Sequence, residues 1–309
     1  MDEMLDFTEI PTAENMIMIL GWRQWADAGS ISSGLPDYLI KLTNARKIGE
    51  MKPDGFYLFQ IPGTHHLLRP VIRLEDGYRQ TLEEPHNEFY YARLNDVGVV
   101  IFLGDEPHMN VQRYARVFLT AVKQLHVTQL ASVAGVYGSI PYDKDRQISC
   151  IYSLPHMKAE LEEYALSFSN YEGGSSIDSY LVSAAEKEAV PFVAMYGFVP
   201  AYNFSQSALQ PQGIQIENDY KAWYDILHRL NHMFALRLDL TELGRRSENM
   251  LNTIEQKIDE IADENPDLNV RAYLAALDAE FTETSFLPLD DIWEEEFRDL
   301  FGGMDDDGD

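Results

Sequence analysis

Val97-Gly98-Val99-Val100-Ile101-Phe102-Leu103-Gly104 is the longest apolar run in the chain. It lacks the polar residue at every second position that a half-solvated strand would carry. An unbroken run of this length is expected of a central strand covered on both faces, the usual setting of a parallel sheet with helices on either side. It is also far shorter than the ~18 apolar residues of a membrane-spanning helix.

Working outward, short runs rich in Val, Ile, Phe and Tyr and bounded by Gly or Pro predict further strands at 16–21, 56–60, 89–94, 130–135, 148–152 and 192–197. Helical spacing falls between several of them. Ile31, Leu35, Tyr38, Leu39 and Leu42 form one stripe, and Val111, Tyr114, Ala115, Phe118, Val122 and Leu125 form another, entered just after Pro107. Residues 177–189 supply a third, closed by Pro191. Strands alternating with helices predict an α/β core domain over 1–212, a mostly parallel sheet sandwiched by helices with right-handed crossovers.

After Gly213 the period changes. Ile216, Tyr220, Trp223, Leu227, Leu230 and Phe234 step by three and four; Leu243, Met250, Ile254, Ile258 and Ile261 continue up to Pro266; Val270, Leu274, Leu277 and Phe281 follow. This predicts a C-terminal all-helical appendage over 213–287. Packing within the chain is the expectation for these stripes, because a sustained coiled coil needs three or four clean heptads.

The chain of 309 residues carries 51 acids against 24 bases, a net charge of −27, with 45% hydrophobic residues. That apolar content supports a folded core. The charge argues against nucleic acid, whose phosphates need clustered Lys and Arg, and against anionic membrane surfaces. The N-terminal Met1, Asp2, Glu3 and Met4 are acidic where a signal peptide is basic, and Cys150 stands alone, so no intrachain disulfide or Cys-based zinc site is expected. A reducing cytoplasmic compartment follows as the expected location.

The catalytic inventory is thin. GxSxG, P-loop, HExxH, CxxC and full GxGxxG patterns are all missing. His65 and His66 are adjacent and would point to opposite faces of a strand, while His228 and His232 sit four apart on a helix without the acid of an HExxH. No metal, cofactor or catalytic residue is expected from these patterns. Ser30, Ser32 and Ser33 offer hydroxyls, but no motif places a His and an Asp to activate them.

In open α/β sheets, ligands bind beyond the carboxyl ends of strands. Here those ends carry Arg23, Asp27, Gly29 and Ser30, then Gly104 and Asp105, then Gly135 and Tyr137, and finally Tyr202. These nine are the ligand-pocket candidates. The first group could present backbone N–H groups and Arg23 to an anion at a helix N-terminus; alternatively Asp27 or Ser30 caps the helix and Gly29 gives the backbone room.

Read in order, the segments Trp25-Ala26-Asp27-Ala28-Gly29, 97–107, 133–138, Gly173-Gly174-Ser175-Ser176 and Pro200-Ala201-Tyr202 resemble the proteasome assembly chaperone 2 family, in its archaeal and bacterial branch. The likeness covers most of residues 15–260. It implies a nucleoside-phosphorylase-like α/β fold followed by helices, and an oligomer that binds a protein partner, with no established catalytic residues. Some relatives act in proteasome assembly or dock on proteasome cores through a C-terminal hydrophobic–Tyr–any tail. This sequence reads Asp307-Gly308-Asp309 at its end instead, which puts docking by that tail in doubt.

Residues 288–309 carry their own signal as an acidic amphipathic tail. Leu289, Trp293, Phe297, Leu300 and Phe301 share one helical face with acids opposite, and Trp and Phe are typical interface anchors. The stripe could pack on the protein's own helices or dock in a partner's groove. Residues 211–309 hold 25 acids and 8 bases, a net of −17 out of −27, so acidity concentrates where a basic protein partner would be steered. The reading is a non-enzymatic oligomeric assembly or scaffold protein; the alternative is a small-molecule or nucleotide-binding protein of a hydrolase-like kind, using the strand-end crevice.

Overall fold

The computed structural model describes residues 3–23, 25–59, 69–204 and 213–286. In chain order it folds as β1 (Leu5–Phe7), β2 (Asn15–Arg23), α1 (Ile31–Leu42), β3 (Arg46–Met51), β4 (Val71–Glu75), β5 (Tyr78–Glu83), β6 (Glu88–Leu94), β7 (Val97–Asp105), α2 (Val111–Gln124), β8 (Gln129–Gly138) and β9 (Ile148–Tyr152). There follow α3 (Met157–Leu161), β10 (Ser167–Phe168), α4 (Ile177–Lys187), β11 (Phe192–Asn203), β12 (Gly213–Gln215), α5 (Tyr220–Met233), α6 (Thr241–Glu264) and α7 (Val270–Glu280). No helix among the described residues is long and apolar enough to cross a membrane.

Every residue of β7 is buried, and the reason is visible in how its neighbours alternate. Ile17, Ile19, Val99, Ile101, Ala131 and Val133 face α1, α5 and α6. Met16, Met18, Val100, Phe102, Leu130 and Ala194 face α2 and α4. Successive side chains of a strand point to opposite faces, so a strand between two helical layers needs apolar residues at both parities.

The main sheet runs β1-β3-β6-β7-β2-β8-β11-β9-β10, with β12 on β11, ten strands among the described residues. It is mixed. The four central strands β7, β2, β8 and β11 are parallel, but β1, β3 and β6 on one side pair antiparallel with their neighbours, and on the other side β9 and β12 pair antiparallel with β11 while β10 lies parallel to β9. The expectation of a mostly parallel sheet is corrected here, and connection length explains why. β6 and β7 are separated by Asn95 and Asp96, with Asn95 at φ +53°. Two residues close a hairpin, whereas a parallel crossover takes a dozen or more.

Residues 56–59 do not form the expected strand. Phe56 is buried in a turn, its carbonyl accepts the amide N–H of His108 and Met109, and its ring meets Tyr114 edge-on at 5.2 Å. The apolar character there marks an anchor of a loop, not a paired strand. β3 and the β4–β5 hairpin fall where no strand was expected.

The C-terminal stripes pack within the chain. Trp223, Ile226, Leu227 and Leu230 of α5 and Leu243, Ile254 and Ile258 of α6 belong to the same core as α1 and the sheet. α6 stops at Glu264 before Pro266, as the sequence predicts.

Candidate functional site

α1 leaves β2 toward one face of the sheet and α2 leaves neighbouring β7 toward the other, so a crevice is expected between the carboxyl ends of these two strands. The parallel register sets Arg23 opposite Asp105 at that point, and Trp22 opposite Gly104. The Arg23 Nη1 lies 3.6 Å from Asp105 Oδ2 and donates to the Gly104 carbonyl at 3.5 Å. Asp105 is further held: its Oδ2 accepts the His86 amide at 2.8 Å and its carbonyl accepts the Tyr57 hydroxyl at 2.7 Å. The Tyr57 hydroxyl also reaches Asn87 Oδ1, to which Tyr114 donates while accepting from Trp22 Nε1. A cation and a carboxylate that could have met a ligand meet each other across the crevice mouth.

Asp27, Gly29, Ser30 and Gly135 form a second group, and it is architectural. Asp27 Oδ1 accepts the Ser33 amide at 2.9 Å and Oδ2 accepts the Ser33 hydroxyl at 2.7 Å, which caps the first turn of α1. Burial pushes the Asp27 carboxyl up from the ordinary aspartate range, with the Ser33 bonds offsetting part of this. Gly29 has φ +60°, and its carbonyl accepts from the Asp219 amide and from Trp223 Nε1, both at 2.9 Å. Ser30 donates to the Glu217 carbonyl at 2.8 Å. A Cβ on Gly135 would sit 2.0 Å from the Ala28 carbonyl oxygen, so only glycine lets β8 pass this loop. The loop after β2 is thus the seat of α5. Ser32 and Ser33 are engaged as well, Ser32 accepting the Trp22 amide.

The two tyrosines lie apart from both groups. Tyr202 is buried near the end of β11, opposite Ile214 of β12, and donates to the Ile140 carbonyl; Tyr137 is exposed and accepts from Gln215 Nε2. The tail residues Leu289, Trp293, Phe297, Leu300 and Phe301, like His65 and His66, lie outside the described residues. His228 and His232 meet edge to face with ring centroids 5.1 Å apart, and Phe286 packs on both. No group of three His, Cys, Asp or Glu able to hold a metal ion occurs among the described residues. Burial pushes the Cys150 thiol up to about 12, which keeps it protonated.

Beside the crevice, Trp22, Trp25, Ala26, Ser32, Glu106 and Asp178 enclose a cleft of about 10 Å³, room for no more than roughly one water. Glu106 accepts the Ile177 amide at 3.0 Å and so caps α4, while Asp178 is buried and bonds Ser176 and the Ser179 amide. Burial raises both carboxyls, and Asp178 adds to the rise of Glu106. A wider groove of about 540 Å³ runs between β12 and α6, past Ile214, Ile216, Tyr220, Arg246, Met250 and Lys257.

Sequence reasoning missed a fully buried ion pair. Arg146, fully buried, donates from Nε to Asp219 Oδ2 at 2.8 Å and from its amide to Asp225 Oδ2 at 2.8 Å, while Nη1 reaches the Tyr142 and Lys144 carbonyls. Asp219 also caps α5 through the Ala222 amide. Arg146 and Asp219 are 73 residues apart, and no local spacing marks them as partners.

Fold and strand ends together define an α/β protein with a four-strand parallel core and a crevice bridged by its own Arg23 and Asp105. The chain belongs to the PAC2 family, whose model matches residues 21–258. A PAC2 family protein from Streptomyces avermitilis is 22% identical, with 81% of this chain and 99% of that one covered at a TM-score of 0.66. A proteasome-assembly chaperone homologue from Mycobacterium tuberculosis is also 22% identical, with coverages of 78% and 94% and a TM-score of 0.67. An archaeal proteasome activator from Pyrococcus furiosus is 16% identical, with coverages of 82% and 97% and a TM-score of 0.58. Comparison with curated proteins returned no match.

Proposed function

We propose that this chain is a non-enzymatic, oligomeric assembly or scaffold protein of the cytoplasm that binds a protein partner. The observation that carries the reading is the strand-end crevice: Arg23 is engaged by Asp105, Asp27 caps α1, and the adjoining cleft holds about 10 Å³. The pocket where such a sheet usually takes a small ligand is filled by the chain's own groups. Membership in the PAC2 family and likeness to a proteasome-assembly chaperone homologue and an archaeal proteasome activator support a protein partner of the proteasome kind. In this reading the core has a nucleoside-phosphorylase-like fold, and the acidic tail with Leu289, Trp293, Phe297, Leu300 and Phe301 is the docking segment.

Deleting residues 288–309 tests it. The shortened protein is expected to fold and to lose its captured partner; retention of every partner would sink the docking role. The second reading, a small-molecule or nucleotide site, draws on the paired raised carboxyls Glu106 and Asp178 beside exposed Trp25. A thermal-shift screen with nucleotides, nucleosides and phosphate separates the two, since ligand at 100-fold its Kd adds about 2.7 kcal/mol. A flat screen favours the scaffold.

A further inference from the structure

Tyr220, Tyr224, His228 and His232 follow one another at intervals of four along α5, so they form one half-buried ridge on that helix. Phe286, the last described residue, packs on the His228 and His232 rings with centroids at 5.3 and 5.5 Å, beneath the Arg229 guanidinium. At the other end of the ridge, Tyr220 lines the groove of about 540 Å³ between β12 and α6. Two helical turns separate His228 from Tyr220, about 12 Å along the axis. Residues 287–309 span up to about 75 Å when extended, so length does not keep them from the groove.

The groove is apolar within and cationic at its rim. Buried Ile214 and Ile216 and half-buried Tyr220 and Met250 give it the apolar lining. Arg246 lies over the Tyr220 ring at 5.9 Å and bonds Glu242, which Arg245 also bonds, so two guanidinium groups divide one carboxylate. Lys257 is exposed and has no ion pair among the described residues. The volume falls within the ~300–1,000 Å³ of ligand pockets, large enough to receive bulky side chains.

Charge narrows the choice of occupant. Among the described residues that line the groove, Arg246 and Lys257 face one acid, Glu217, a net of +1 in a chain of −27. Residues 258–286, with the end of α6 and all of α7, hold eight acids and one base and repel an acidic segment. Residues 287–309 hold ten acids and one base, a net of −9, and their Leu289, Trp293 and Phe297 recur at intervals of four. A segment with aromatic anchors on one side and acids on the other complements an apolar groove rimmed by Arg246 and Lys257.

We propose that the acidic tail docks on its own chain: residues 289–301 fold back from the Phe286 anchor and set Trp293 and Phe297 in the groove, their acids meeting Arg246 and Lys257. A partner that takes the tail must first empty the groove, and its affinity falls in proportion to the fraction of chains left undocked. The inference rests on the proposed function only in taking the tail as a docking segment; it needs no partner.

The test uses the full chain, purified alone. Arg298 is the one Lys or Arg beyond Arg271, so trypsin cleavage there reports whether the tail is held. Thr253 and Lys257 are exposed on α6, and Thr253→Glu/Lys257→Glu is expected to speed that cleavage about tenfold or more, with an unchanged far-UV spectrum. The scissile bond itself is untouched, so a faster cut reads the groove. Cysteine pairs give a second measurement: Thr253→Cys combined in turn with Glu294→Cys, Glu295→Cys and Glu296→Cys. The native cysteine is buried, and mild oxidation should close at least one pair within a single chain of 35.4 kDa. Gln112→Cys, exposed on α2 in the opposite helical layer, should link to none of the three. Equal cleavage of wild type and the Glu variant overturns the proposal, as does the failure of every Thr253→Cys pair or equally fast linking to Gln112→Cys. A link formed only between two chains overturns docking on the same chain and makes a second copy's tail the occupant. Retention of partners after deleting residues 288–309 moves neither readout, so the two proposals fail separately.

Discussion

The strand-end crevice and the β4–β5 arm invert what their side chains suggest. At the crevice, Arg23, Asp27 and Asp105 carry the chemistry expected of a ligand site, yet each is bonded to the chain itself. On the arm, Ile72, Leu74 and Leu82 carry no chemistry, and nothing among the described residues covers them. Polar character tells which groups need partners; only the packed structure tells whether the partner is already inside the chain.

If the polar groups near the crevice are structural, removing them should cost stability, and the arm should tolerate change. The largest effect is expected at Arg146, behind the α5 seat. Arg146→Met leaves the buried Asp219 carboxylate without its guanidinium partner and should cost about 3–5 kcal/mol, read by urea unfolding; a loss under about 1 kcal/mol would show that the seam is not structural. Gly135→Ala forces a methyl against the Ala28 carbonyl and should cost about 1–3 kcal/mol by overpacking, visible as a lowered Tm.

Glu106→Gln tests the crevice through pH. Burial holds the folded Glu106 carboxyl above its ordinary value of 4.5, so the folded state keeps a proton the unfolded chain has lost. That stabilisation is complete below pH 4.5 and fades as the pH rises through the folded value. The Gln variant should therefore flatten this part of the decline in stability above pH 4.5; an unchanged profile would place the carboxyl in solvent-like surroundings. Smallest is Ile72→Ser, which should change the stability of the isolated monomer by no more than about 0.5 kcal/mol. A larger loss in dilute protein would mean that the arm packs on its own chain, and the contrast would collapse.

Much of the layer structure was legible before any coordinates. Unbroken apolarity from Val97 predicted a strand covered on both faces, and spacing predicted the faces of α1, α2, α5 and α6. The antiparallel flank was legible in principle, because only Asn95 and Asp96 separate β6 from β7. The arm also left a sign in Asp76-Gly77, but its strands lack clean alternation, since no core face selects one. Of the crevice candidates, Arg23, Gly104 and Asp105 do converge, as do Asp27, Gly29, Ser30 and Gly135, whereas Tyr137 and Tyr202 do not join them.

The sequence by itself determined periodicity: which residues share a strand or helix face, and therefore which elements exist and that two helical layers cover the sheet. Those are local properties, set by repeats of two and of about 3.6 residues. Only the tertiary structure decided that Arg23 meets Asp105, that Arg146 meets Asp219, and that the arm stands uncovered. Each of these depends on strand order and on which distant groups the fold brings within ~3–4 Å, where a hydrogen bond or ion pair forms, and no spacing along the chain encodes that.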